Sequence, residues 1–448
     1  MVQSLQKFNI YGGWKSSVAW LVGFFAVLAL GSFYGCGQSS DHKVHIQLST
    51  WGSAQEVAVL KTLLHEFETT NPQVRVDLLH IPDNYYQKLQ LLIAGDLAPD
   101  VIFTNSISFP VYASQGVFMD LQPLLAKSTD PKAFSAPQFY PAALQAFTWK
   151  LPNGRKIQGA LPRDISDVAI FYNKDLFQRA GVAEPKANWT SDQFLDAAKK
   201  LTVDANNDGD PEQFGFSFYS KPPLFWLPFV WSAGGDLFSP DMRHVALDSP
   251  AALQGLRFYA DLRNEWHVAP KKAESGGVTM SQLFLQQKIA MMANGRWSVP
   301  VLREQAKFHW DVAPFPVGSS GKSRVGIDAS GYAISAKTGH PQEAMALVRF
   351  LLSQKAIAAV TESGLIVPAR QDVAESDLYL APGQAPAHGR VFLDAIADGV
   401  PTQSAPRWNE LIEELGLALE PVWDGQQDAG AAVKAVKPKL DHMLEVSP

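Results

Sequence analysis

The chain has 448 residues, 46% hydrophobic and 18% charged, with a net charge of −6 and a single cysteine. Its 32 Gly and 30 Pro are close to ordinary usage, which sets aside collagen-like and broadly disordered chains. The acidic balance argues against a nucleic-acid binder, which would carry a basic stripe, and one Cys excludes an intrachain disulfide, a CxxC redox pair and any multi-cysteine zinc or iron–sulfur site. The length suggests roughly three units or two large lobes.

Lys7 and Lys15 are the only charges before an apolar run at 18–30 (VAWLVGFFAVLAL). That run is short for a bilayer span and suits the apolar core of a signal peptide. Gly31 and Ser32 follow, then Phe33-Tyr34-Gly35-Cys36 and a polar stretch, GQSSDHK. The pattern resembles a bacterial lipoprotein signal, which implies a leader over 1–35, lipidation of Cys36 and a tether over 36–42. The alternative is an uncleaved anchor segment with an incidental thiol. Both put the rest of the chain outside the cytoplasm.

Residues 43–50 alternate, with Val44, Ile46 and Leu48 on one face, and predict a strand. Val57, Leu60, Leu63, Leu64 and Phe67 recur at helical spacing before Asn71-Pro72, and Val74, Val76 and Leu78 alternate again. Strand, helix, strand in so few residues is a βαβ unit with parallel strands. A helix over about 84–94 and a strand at 101–103 extend it into an open α/β sheet, whose ligands gather beyond the carboxyl ends of the strands. Further on, 168–172 (VAIFY) reads as a strand, Asn173 as a helix cap, Thr190 to Gln193 as a capping box with Phe194, Leu195, Ala198 and Leu201 inward, and 289–293 as another strand. Helices are expected at 250–264, 341–354, 408–420 and 428–443, and loops at 270–277, 316–324 and 381–389.

Catalytic motifs fail on needed atoms. GSSGKS (318–323) lacks the first glycine of a phosphate loop, because Pro316 stands there; His65-Glu66 lacks the second zinc ligand of HExxH, because Thr69 stands there; no GxSxG elbow exists. Nothing singles out a carboxylate pair for glycoside hydrolysis. The acidic loop with Asp204, Asn206 and Asp208 resembles the first half of a calcium loop, yet position twelve is Gly215 rather than Glu; a solvated turn is the competing reading. The expectation is therefore no enzyme and no cofactor, with structural Ca²⁺ as the only candidate ion.

Six segments in register, LSTWGS (48–53), AGDLAPDVIF (94–103), ALPRDISDVAIFYNKDLFQRAG (160–181), WSAGGDLF (231–238), MMANGRW (291–297) and VGIDASGYAIS (325–335), resemble the family 1 extracellular solute-binding proteins of ABC importers, the maltose-binding-protein-like group. The resemblance implies an α/β fold of two lobes, each an open sheet flanked by helices, joined by three crossings near 161–164, 327–332 and 362–370. Lobe one would be 43–162 with 330–363, and lobe two 163–329 with 364–448. A sugar needs aromatic platforms and planar polar groups, and the candidates lie at strand ends or beside the crossings. They are Trp51, Ser53 and Asn105 in lobe one, Asp164, Tyr172, Trp231, Asp236, Trp297 and Trp408 in lobe two, and Asp328 and Arg370 at crossings. By the resemblance, Tyr172, Trp297 and Trp408 offer aromatic surfaces and Asp164 binds hydroxyls.

The function implied is the extracytoplasmic, lipid-anchored substrate-binding component of a carbohydrate importer, a monomer that closes on a sugar or oligosaccharide and delivers it to membrane permease subunits. The alternatives are a binder of a polyol or glycerol phosphate, for which only Arg163, Arg296 and Arg370 are well placed, and a tethered carbohydrate-active enzyme or sensor.

Overall fold

A computed structural model describes residues 43–126, 138–151, 153–221, 223–271, 277–401 and 403–445. The expected leader at 1–35, the expected lipidation site Cys36 and the expected tether over 36–42 lie outside the described residues. Residues from Val44 onward form one compact unit, which contains two main sheets.

The large sheet starts as the alternation predicts. β1 (Val44–Thr50) buries Ile46 and Leu48 completely, and β2 (Val74–His80) pairs with it in parallel from Val44↔Val74 to Thr50↔His80. The helix Ala54–Thr70 crosses between them with Val57, Leu60, Leu63, Leu64 and Phe67 buried. It ends at Asn71, whose backbone and side-chain amides both donate to the Phe67 carbonyl. β3 (Val101–Asn105) adds in parallel on the other side of β1. A small hairpin of β4 (Thr148–Lys150) and β5 (Lys156–Gln158) precedes β6 (Ala160–Ser166).

Beyond β3 the sheet turns antiparallel, apart from one short parallel pairing. β11 (Gly326–Ile334) runs antiparallel to both β3 and β6, and β12 (Val367–Pro368) antiparallel to β6, giving the order β12-β6-β11-β3-β1-β2 with β13 (Val400–Pro401) on the end of β11. The small sheet has the order β10-β7-β9-β8. β7 (Val168–Asn173) lies antiparallel to β9 (Ile289–Gly295) and β10 (Trp310–Ala313), and β8 (Phe214–Phe216) parallel to β9. Every residue of β7 and β9 is buried, as strands covered on both faces must be. The predicted capping box is present: the Thr190 hydroxyl accepts from the Gln193 amide and the Gln193 side chain accepts from the Thr190 amide. The helix it opens, Ser191–Leu201, buries Phe194, Ala197, Ala198 and Leu201, with Leu195 half-buried.

Sheet membership corrects the expected crossings. Residues 161–164 lie inside β6 and belong to the large sheet, as do 327–332 inside β11. The chain first leaves the large sheet at Asp167, between β6 and β7, and re-enters it at Gly326. Asp164 is thus a lobe-one residue, because its backbone pairs with Ser330 and Pro368 of that sheet.

Candidate ligand cleft

One cavity, of about 170 Å³, is lined by both sheets. Trp51, Glu56, Arg163, Asp164, Ser166, Ser330 and Val367 come from the large-sheet side, Arg296 and Trp297 from the end of β9, and Asp167 from the crossing itself. Larger cavities of about 560 and 640 Å³ lie on lobe two alone, beside Thr190, Asp192 and Gln254 and along 182–200. Position, rather than size, marks the first as the cleft.

The lobe-one wall is a closed ionic network. Gly52, at φ +121°, turns the chain from β1 into its helix in a conformation that other residues rarely adopt; a Cβ there would lie 2.3 Å from a Glu56 carboxylate oxygen. That carboxylate is 2.9 Å from one arm of Arg163, whose Nε donates to Asp164 Oδ2 at 2.6 Å. The guanidinium also lies over Phe103, 4.3 Å from the ring centre. Burial works against the Arg163 charge, but Asp164 and then Glu56 more than offset it, holding the guanidinium above its ordinary value. Burial also pushes the Asp164 carboxyl up to about 6, against the pull of Arg163. Trp51 stands half-buried at the rim, with ring centres of Phe103, Tyr85 and Tyr86 at 4.3, 5.0 and 5.7 Å.

The opposite wall is only partly committed. β9 ends at Gly295, and the next turn folds the Trp297 ring back over it, so that a Cβ on Gly295 would lie 1.9 Å from a ring carbon. Trp297 keeps 39% exposure, the one exposed tryptophan among the described residues. Arg296 donates to the Tyr379 carbonyl at 2.8 Å with its guanidinium 3.9 Å from the Tyr379 ring centre, yet its buried Nε has no hydrogen-bond partner. Burial lowers its pKa, with Tyr379 and Asp167 acting in opposition. Asp167 is 1% exposed, and neither carboxylate oxygen has a hydrogen-bond partner. Burial pushes its carboxyl well above the usual range; only its own backbone amide and the Arg296 charge work the other way.

Three of the predicted residues meet at this cavity: Trp51, Asp164 and Trp297. The others do not line it. Ser53 caps the helix Ala54–Thr70 by accepting from the Glu56 amide. Asn105 closes a turn, its Oδ1 accepting from the Ser108 amide at 2.8 Å. Tyr172 is 1% exposed near the carboxyl end of β7 and donates to Glu184 Oε2 at 2.8 Å, because a strand buried on both faces leaves no open side for it. Trp231 is buried in the helix Pro223–Ser232 and its indole N–H donates to Asp236, which ties up both. Trp408 packs in the core against Phe238. Asp328 is buried in β11 opposite Ser166. Arg370 makes a two-pronged pair with Asp372, two residues along. In the acidic loop, Asp204, Asn206 and Asp208 accept from the loop's own amides. Among the described residues, no group of three or more His, Cys, Asp or Glu side chains is arranged to hold a metal. Glu56, Asp167 and Ser330 escaped the sequence reading. The one available signal was Asp167, an acid set between two apolar extended runs.

The profile of the bacterial extracellular solute-binding proteins matches residues 51–358. A Brucella abortus chain named only as a binding protein is 23% identical over 96% of this chain and 98% of its own length. The multiple sugar-binding protein of Streptococcus mutans is 23% identical over 71% of this chain and 74% of its own. Among solved structures, an ABC substrate-binding protein of Listeria monocytogenes in complex with cycloalternan superposes with a TM-score of 0.81 at 26% identity, covering 90% of this chain and 99% of that one. The maltotriose-bound maltose/maltodextrin-binding domain of Bdellovibrio bacteriovorus shares the two-lobed fold, with a TM-score of 0.73 at 22% identity, 90% of this chain and 100% of that one. With the cleft built between two sheets at the chain crossings, and the profile spanning most of the chain, the protein belongs to the bacterial extracellular solute-binding protein family.

Proposed function

We propose that the chain is the extracytoplasmic substrate-binding component of an ABC-type carbohydrate importer. The single observation that carries this is the cavity at the crossings, where an indole from each sheet, Trp51 and Trp297, meets buried carboxylates and guanidinium groups. Aromatic faces suit the C–H surfaces of a sugar, and planar charged groups suit its paired hydroxyls. The sugar-bound relatives support the same reading.

Ligand enters between the sheets, and rotation about the crossings brings the Arg296–Trp297 wall toward the Glu56–Arg163–Asp164 wall. Closure is favoured only as far as the ligand fits the closed state better. The closed form delivers its sugar to permease subunits, and lipidation at Cys36 would hold the receptor beside them. Acyl mass on a peptide beginning at Cys36 is the expected result; an intact Met1 terminus contradicts it.

The function is tested by thermal unfolding of the full chain against mono-, di- and trisaccharides, polyols and glycerol phosphate. A cognate sugar at about 100 times its Kd should stabilise the protein by about 2.7 kcal/mol. No shift with any saccharide would sink the proposal, and release of hydrolysis products would establish the enzyme instead.

A further inference from the structure

We propose that Asp167, rather than Asp164, is the carboxylate that grips the ligand, taking a pair of hydroxyl donors from a neutral polyhydroxylated ring while Arg296 Nε donates to an oxygen of that ring. This deepens the carbohydrate reading and rests on it.

Two acids line the cavity close together in sequence, and their circumstances differ. Asp164 is already bound by Arg163 at 2.6 Å and by Ser330. Asp167 is as deeply buried, lines the same cavity, and has no hydrogen-bond partner on either oxygen. A buried carboxylate without donors is costly to the fold, so the ligand-free site is the one missing groups. What fills it must donate at least twice to Asp167 and accept from the neighbouring Arg296 Nε, which is also unpartnered.

Charge narrows the class. Glu56, Asp164 and Asp167 face Arg163 and Arg296 in the cavity, and Arg163 is spent on two of those acids. A phosphorylated or carboxylated ligand would confront an excess of negative charge with only part of Arg296 to meet it. An ammonium ligand would satisfy Asp167, but it would sit beside the Arg296 guanidinium and leave Nε without an acceptor. A hydroxylated ring donates and accepts from adjacent positions, which is the combination the site lacks. Asp167 also sits where the chain passes from β6 to β7, so a ligand held there bridges the two sheets at their junction.

The test compares the full chain with Asp167→Asn and Asp167→Ser by calorimetric titration and by ligand-free thermal unfolding. The probes are glucose, maltose, maltotriose and lactose, deoxy analogues of whichever binds, and glucuronate and glucose 6-phosphate. The expected result is a neutral sugar as best ligand and a loss of tenfold or more in affinity in both variants, since the paired hydrogen bonds to the buried carboxyl group are removed. The ligand-free variants should melt at the wild-type temperature or above it, because an unsatisfied buried acid has gone. One deoxy analogue should bind wild type more weakly yet cost the variants nothing further. Affinity within about twofold of wild type, a lowered ligand-free melting temperature, or wild-type preference for an anionic sugar would each overturn this inference while leaving a sugar receptor intact. Failure of every sugar to bind wild type would overturn the receptor reading, and this one with it.

Discussion

The two walls of the cleft carry similar residues in opposite states. On lobe one, Glu56, Arg163 and Asp164 satisfy one another; at the crossing and on lobe two, Asp167 and Arg296 lie buried with unmet hydrogen-bonding atoms and Trp297 is exposed. The first arrangement fixes geometry, since its groups are already paired with one another. The second leaves unsatisfied polarity that a ligand bound there would relieve. Identical residue types therefore do different jobs according to whether the fold has already given them partners.

The sharpest way to break the comparison is to open the closed wall. Arg163→Leu leaves Glu56 and Asp164 buried without their cation and is expected to destabilise the fold by about 3–5 kcal/mol, measured by chemical denaturation. A loss under about 1 kcal/mol would mean that the network is not the scaffold.

Next is the open wall. Gly295→Ala places a Cβ against the Trp297 ring, and the ring has to swing away. Sugar affinity should fall roughly tenfold, about 1.4 kcal/mol, with little change in stability. Titration beside thermal unfolding separates the two effects.

The legibility of the molecule follows the same division. β1, β2, the helix Ala54–Thr70 and the Thr190 capping box could be read directly, because hydrophobic period and cap chemistry are local. β11 paired antiparallel between β3 and β6 was not readable, since nothing near 326–334 encodes partners over 150 residues away. Trp51 and Trp297 are aromatics at strand ends that stay in the cleft, whereas Tyr172, also at a strand end, and Trp231 and Trp408, on helices, are buried in the core. Strand-end position fixes where a residue starts, and burial depends on which elements cover it afterwards. Asp167 was passed over because a missing partner is a property of the assembled fold.

Acidification sharpens the contrast by a smaller amount. Asp164 holds its proton more tightly folded than unfolded, so its stabilising contribution is full below the ordinary carboxylate range and lost as pH rises through about 6. Asp167 pushes in the same direction. From about pH 7 to about pH 5 the ligand-free protein should gain on the order of 1 kcal/mol from Asp164, and Asp164→Asn should lessen that gain. A wild-type profile that falls over this range, or one that Asp164→Asn leaves unaltered, would contradict the assignment.

The smallest effect is expected outside the cleft. Tyr172→Phe removes one hydrogen bond to Glu184, costing about 1 kcal/mol or less and leaving sugar affinity unchanged. A loss of affinity would return Tyr172 to the binding surface.

Ligand is expected to sit in the cavity at the crossings, against Trp297. Calorimetric titration of Trp297→Ala beside wild type, with the sugar that stabilises wild type most, tests it directly. At least a tenfold loss of affinity is expected, with an unchanged melting temperature for the ligand-free protein. Equal affinity in a folded variant would place the ligand elsewhere.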